Sequence, residues 1–123
     1  MPNYVLWNWS RDTLLAPSLR VARGLWHRLR NLLRPPRPGP GEAVLLLGCR
    51  TVPTYFAREP LDLVFLDSRG YVVATVPCAP PGQLVRGGSR ASEVIAFAAN
   101  SLRAGQVAVG DRLTLVCFPR RTE

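Results

Sequence analysis

Two runs of strand-forming residues flank a short polar segment near the middle of the chain. Leu61-Asp62-Leu63-Val64-Phe65-Leu66 leads into Asp67-Ser68-Arg69-Gly70, and Tyr71-Val72-Val73-Ala74-Thr75-Val76 follows. β-Branched and aromatic side chains fit a pleated surface, and a polar turn with Gly late in it reverses the chain. The pattern therefore predicts a β-hairpin over residues 60–76. Pro60 suits the start of its first strand, where a missing N–H is tolerated. The five apolar residues 43–47 predict a buried strand, and 113–118 predict a last strand stopped by Pro119. A short strand fits Leu84 and Val85. Residues 92–99 suit a strand or a helix equally, and the aromatic segment 1–12 suits an added edge strand or a docking tail.

The N-terminal part reads differently. Over 13–34, apolar residues fall at Leu15, Leu19, Ala22, Leu25, Trp26, Leu29, Leu32 and Leu33. Steps of three and four trace one stripe of an amphipathic helix, with Arg20, Arg23, Arg28, Arg30 and Arg34 mostly off it. Pro17 fits its first turn, and Pro35-Pro36 ends it. Residues 35–41, Pro-Pro-Arg-Pro-Gly-Pro-Gly, form a stiff extended linker. Residues 100–105 suggest a second, short helix closed by Gly105. The expected architecture is α+β and mainly β: a small barrel-like domain of antiparallel or mixed sheet with one N-terminal amphipathic helix and one short helix. Residues 1–40 would be a basic extension of helix plus linker, and 41–119 the β domain.

Charge sharpens this division. The net charge is +8, and every basic residue is Arg. Residues 1–50 hold eight Arg against Asp12 and Glu42, whereas 51–123 hold eight Arg against six carboxylates, so the excess is N-terminal. Guanidinium forks pair with phosphate and carboxylate, so Arg20, Arg23, Arg28, Arg30 and Arg34 are candidates for an anionic membrane or nucleic acid. The same Arg would simply be solvated if the stripe packs on the domain, and a genome rich in G and C also favours Arg over Lys. The chain's 123 residues allow one domain, and no stretch of about twenty apolar residues suggests a membrane span. No signal-peptide pattern opens the chain, so the cytoplasm, with peripheral membrane attachment as an extension, is the expected location. Cys49, Cys78 and Cys117 are odd in number and without CxxC spacing, which favours buried free thiols over a disulfide or metal site. No cofactor or obligate metal is expected.

The stretch Cys49-Arg50-Thr51-Val52-Pro53-Thr54-Tyr55-Phe56-Ala57-Arg58-Glu59-Pro60-Leu61-Asp62-Leu63-Val64-Phe65-Leu66-Asp67-Ser68-Arg69-Gly70 resembles the central pattern of the DUF192 family of small bacterial and archaeal proteins. Arg23-Gly24-Leu25, the apolar strand after Gly41 and Val109-Gly110-Asp111-Arg112-Leu113 extend the resemblance over about residues 20–118. Pro53 stands where the family has His, Ala57 where it has Met, Ala96 where it has an acid and Asn100 where it has Gly. The resemblance implies a compact, mainly β, barrel-like fold with one or two short helices. It implies no reaction.

The chemistry-bearing residues of that stretch are Cys49, Thr54, Arg58 and Asp62. Arg58 and Asp62 frame Pro60, and they suit either an anion anchor with its orienting carboxylate or a plain ion pair at the mouth of the hairpin. A Cys49 nucleophile would want a base, and His27 is the only histidine in the chain. Arg86-Gly87-Gly88-Ser89-Arg90 lacks the Lys and following helix of a phosphate loop and reads as a turn, as does Asp111 after Gly110. The expected function is that of a binding or accessory module without catalysis. Its partner would be an anionic surface or a protein met by the N-terminal helix. A degenerate enzyme or small-ligand site near Arg58 and Asp62 is the other reading.

Overall fold

The computed structural model describes residues 3–23, 42–54, 60–98 and 106–118. Nine strands occur there: β1 Asn3–Asn8, β2 Thr13–Arg23, β3 Glu42–Leu47, β4 Thr51–Pro53, β5 Leu61–Leu66, β6 Val72–Ala79, β7 Leu84–Arg86, β8 Glu93–Ala98 and β9 Leu113–Phe118. Seven form one mixed sheet in the order β6-β5-β8-β3-β2-β1-β9, and β4 pairs with β7 in a separate ribbon. The pairings are antiparallel except β2 with β3, which run parallel from Ser18 beside Glu42 to Arg23 beside Leu47.

The α+β expectation is overturned. No α-helix occurs among the described residues, and the first half of the helix expected over 13–34 is the eleven-residue strand β2. The misleading signal is the spacing of Leu15 and Leu19. A step of four brings a side chain back to one face of a helix and also to one face of a strand, because four is twice the strand period. Partners on both sides decide the outcome, since β2 lies between β1 and β3. Pro17 falls where four β2 residues, Ala16 to Leu19, lie opposite three of β1, Leu6 to Tyr4. A bulge there leaves Pro without a ladder bond to make. The rest of the expected helix, and the short one over 100–105, lie outside the described residues.

The hairpin over 60–76 is present as β5 and β6. Residues 92–99 contain strand β8, and the aromatic N-terminus contains β1, which lies inside the sheet between β2 and β9. Burial on both faces explains why the central strands β3, β5 and β8 are apolar apart from Glu42, Asp62 and Glu93. Val44 and Leu46 of β3, Leu61, Leu63 and Phe65 of β5, and Val94 and Ala96 of β8 build one core cluster. Ala43 and Leu45, Val64 and Leu66, and Ile95 and Phe97 build a second with Leu6, Ala16, Leu19, Val72 and Leu113. Alternate side chains point to opposite faces, so β3, β5 and β8 are covered on both. The curled remainder of the sheet covers one face. The β4–β7 ribbon covers the other with Val52 and Val85.

The sheet's outer strands meet at one point. Tyr71, just before β6, bridges Arg112, just before β9. Val72 N donates to Asp111 O at 2.8 Å, Gly110 N to Val72 O at 2.8 Å and Leu113 N to Gly70 O at 2.8 Å. Gly70 is required there: its φ is +90°, and a Cβ would stand 2.7 Å from the Leu113 carbonyl oxygen.

Gly87 is equally constrained, because a side chain there would collide with the ring of Phe65, itself fully buried. Gly87→Ala should destabilise the protein by about 1–3 kcal/mol through overpacking, read as a lowered urea midpoint. A midpoint within error of wild type would mean that Phe65 has room to move.

Candidate functional site

Of the candidates Cys49, Thr54, Arg58 and Asp62, three lie among the described residues: Cys49, Thr54 and Asp62. Cys49 precedes β4 and Thr54 follows it, so the ribbon strand separates them. Arg58 lies outside the described residues. Thr54 is fully buried and stitches the loop between β6 and β7: its hydroxyl donates to Pro80 O at 2.7 Å and accepts from Gln83 N at 3.0 Å. Its own amide donates to Gln83 O at 2.7 Å. That hydroxyl is spent within the fold.

Asp62 is buried opposite a bulge. Leu61 faces Ala79 and Leu63 faces Val76, so Asp62 alone spans Pro77 and Cys78. Pro77 has no N–H, and the Cys78 N–H is bound by Asp62 Oδ1 at 2.8 Å. Cys78 takes a φ of +51°, a left-handed conformation uncommon outside glycine, which the carboxylate helps to hold. The Asp62 carboxylate thus replaces a missing ladder partner, as buried polar groups require.

Neither described thiol is paired in a disulfide. Cys49 is half-buried against the core, and burial pushes its thiol above the ordinary range, the opposite of nucleophilic activation. Cys78 is exposed. Alkylation with iodoacetamide at pH 7.5, mapped by peptide mass, should label Cys78 well before Cys49. Faster labelling of Cys49 would contradict this assignment.

Of the Arg set expected to bind anions, Arg20 and Arg23 belong to β2. Arg28, Arg30, Arg34 and His27 lie outside the described residues. Six other arginines are exposed on the described loops and ribbon: Arg11, Arg50, Arg69, Arg86, Arg90 and Arg112. The one ion pair among the described residues is Arg11 Nε to Asp111 Oδ2, at 2.6 Å.

That pair belongs to a polar clamp with no local trace in the sequence. Asn8 is fully buried and Asp111 nearly so. Asn8 Nδ2 donates to Asp111 Oδ2 at 3.0 Å and to Gln106 O at 2.8 Å, while Asn8 Oδ1 accepts from Ser10 N at 3.0 Å. Asp111 Oδ2 also accepts from Ala108 N at 2.9 Å. Burial works to raise the Asp111 pKa, but the hydrogen bonds from Asn8, Arg11 and Ala108 and the Arg11 charge outweigh it, and the carboxyl sits below its usual range. The two turns on either side of the sheet closure, 9–12 and 106–112, are thereby fastened together.

Two aromatic rings stand on this clamp. Trp9 is 58% exposed and Tyr71 39% exposed. Trp9 N donates to Arg112 O at 2.9 Å, Arg112 N donates to Ser10 Oγ at 3.0 Å, and the Arg112 guanidinium lies 5.8 Å from the centre of the Tyr71 ring. Trp7 meets Trp9 edge to face at 6.3 Å between ring centres. Trp9, Tyr71 and Arg112 are far apart in sequence. Their one sequence signal is that each is a large or charged side chain beside a turn.

Because the folded-state pKa of Asp111 is lowered, its ionised form stabilises the fold above the unfolded value of about 4, and that contribution is lost as pH falls through the folded value. Asp111→Asn should therefore be less stable than wild type at neutral pH, with the gap in Tm closing as pH drops below about 4. A gap independent of pH would show that the carboxylate charge is immaterial.

No protein-family model and no curated protein matches the chain. Solved structures share its fold. A protein of unknown function from Novosphingobium aromaticivorans superposes with a TM-score of 0.73 at 16% identity, over 93% of this chain and 84% of that one. A Sinorhizobium meliloti protein with a provisional assignment as a transcription regulator superposes with a TM-score of 0.72 at 22% identity, over 92% of each chain. A hypothetical protein from Synechocystis matches at 18% identity with a TM-score of 0.56, over 94% of this chain and 19% of that one. These likenesses show a shared fold, a small sheet domain whose structural neighbours carry no established activity.

Proposed function

We propose that the chain is a divergent DUF192-type domain acting as a non-catalytic binding or accessory module, and that it meets its partner through the loops around Trp9, Tyr71 and Arg112. The observation carrying this reading is the exposure of two aromatic rings and an arginine on main-chain-locked loops. Trp, Tyr and Arg on a rigid support are the residue types that dominate binding energy at interfaces. The buried polar side chains Asn8, Thr54, Asp62 and Asp111 are all engaged in holding the backbone or one another, which favours a structural role for them over a chemical one. The raised Cys49 thiol argues the same way. The provisional assignment of one structural neighbour to transcription regulation is in keeping with a binding role. The DUF192 assignment rests on the stretch from Cys49 to Gly70.

The test is a pair of substitutions at side chains that make none of the clamp's hydrogen bonds, Trp9→Ala with Arg112→Ala. The double variant should keep its thermal midpoint within a few degrees and lose the partner that co-purifies with wild type after crosslinking in cells. Retention of every wild-type partner by a folded double variant would overturn the proposal.

A further inference from the structure

We infer that the aromatic face continues into an arginine-lined surface that takes the sugar–phosphate backbone of a single-stranded nucleic acid; the inference rests on the binding-module reading above. The loops involved are joined by hydrogen bonds. Gly87 N donates to Arg50 O at 2.8 Å, Ser92 N to Leu66 O at 2.8 Å, Leu113 N to Gly70 O at 2.8 Å and Trp9 N to Arg112 O at 2.9 Å. This series links the segment before β4, the turn after β7, the hairpin turn and the two turns of the clamp. Along it stand Arg50, Arg86, Arg90, Arg69 and Arg112, all exposed, and none pairs with a carboxylate among the described residues.

The carboxylates on the same loops are largely occupied. Asp67 Oδ1 accepts from Arg69 N at 2.8 Å and from Tyr71 N at 3.0 Å, and Asp111 holds Arg11. Asp67, Asp12 and Glu93 are then three acids against these five arginines, so positive charge is in excess.

The turn after β7 adds backbone donors. Gly88 has a φ of +96°, and residues 88–90 are exposed. Ala91 N closes the turn onto Gly88 O at 3.2 Å, whereas the amides of Gly88, Ser89 and Arg90 donate to no group among the described residues. Successive free amides at a left-handed residue make a concave anion seat, and Arg50, Arg86 and Arg90 border it in the chain and the ribbon. Guanidinium forks and free amides are complementary to phosphate oxygens. The exposed planes of Trp9 and Tyr71 are complementary to unstacked bases. An arginine track with interspersed aromatic rings is the arrangement by which proteins hold single strands without sequence preference.

The experiment titrates the full chain into fluorescein-labelled dT12 and rU12 oligonucleotides and reads anisotropy from 50 to 300 mM NaCl. Wild type should bind with an affinity that falls steeply with salt. Arg50→Gln with Arg90→Gln should reduce the slope of log K against log salt by about 1.4, roughly 0.7 for each phosphate no longer neutralised. Trp9→Ala should weaken binding by roughly ten- to a hundredfold with the slope unchanged. Absence of binding at 50 mM NaCl would overturn the inference. So would a slope unaffected by the paired Arg substitutions, or binding to phosphatidylserine vesicles or polyglutamate as tight as to the oligonucleotides. If wild type ignores the oligonucleotides while Trp9→Ala with Arg112→Ala still loses the cellular partner, the nucleic-acid assignment falls and the binding face stands.

Discussion

The fold depends on a main-chain junction between Gly70–Val72 and Gly110–Leu113, where the first residue of β6 and the first residue of β9 each bond to the segment preceding the other strand. An open seven-stranded sheet leaves a row of unpaired amides and carbonyls along each outer strand. Joining the two rows at one end turns the sheet inward and gives one face of β3, β5 and β8 a closed apolar space to fill. The other face has its own cover in the β4–β7 ribbon. Among the described residues, the buried side chains of Asn8, Thr54, Asp62 and Asp111 hold the backbone in this arrangement. Asn8 and Asp111 hold the junction, Thr54 holds the ribbon to the loop before it, and Asp62 holds the bulge at the end of β6.

How much of this can be read in the sequence follows from how local each signal is. The hairpin is legible because its strands and turn are contiguous, and Gly70 marks the turn. The run in β3 is legible as a buried strand because two-sided burial leaves no alternation. β2 misleads because its leucines repeat at a spacing common to both periodicities and its Pro suits a helix start as well as a bulge. What separates the two is the presence of β1 and β3 alongside, which no local window contains. The same limit explains β1, whose assignment as a strand depends on β9 more than a hundred residues later.

The polar residues illustrate the matter from the other side. Thr54 and Asp62 stand out in an apolar neighbourhood of the sequence, but their roles are set by Pro80, Gln83 and Cys78, which come together only after folding. Asp111 looks like an ordinary turn residue, and Asn8 gives no signal at all. Their meeting spans 103 positions of sequence. Trp9, Tyr71 and Arg112 share no spacing that hints at a common surface. The closure brings them together, so the surface is a product of topology.

The pairing of β1 with β9 also bears on how the chain reaches this state. Helix-like local contacts form early, whereas ladders between distant segments must first overcome the entropy of closing a long loop. A ribosome delivers β1 first and β9 last of the nine strands, so during synthesis β1 lacks its outer neighbour and β6 lacks the junction that fixes its start. The nascent chain therefore carries two bare strand edges until its last strand emerges, and over that interval intermolecular pairing competes with closure.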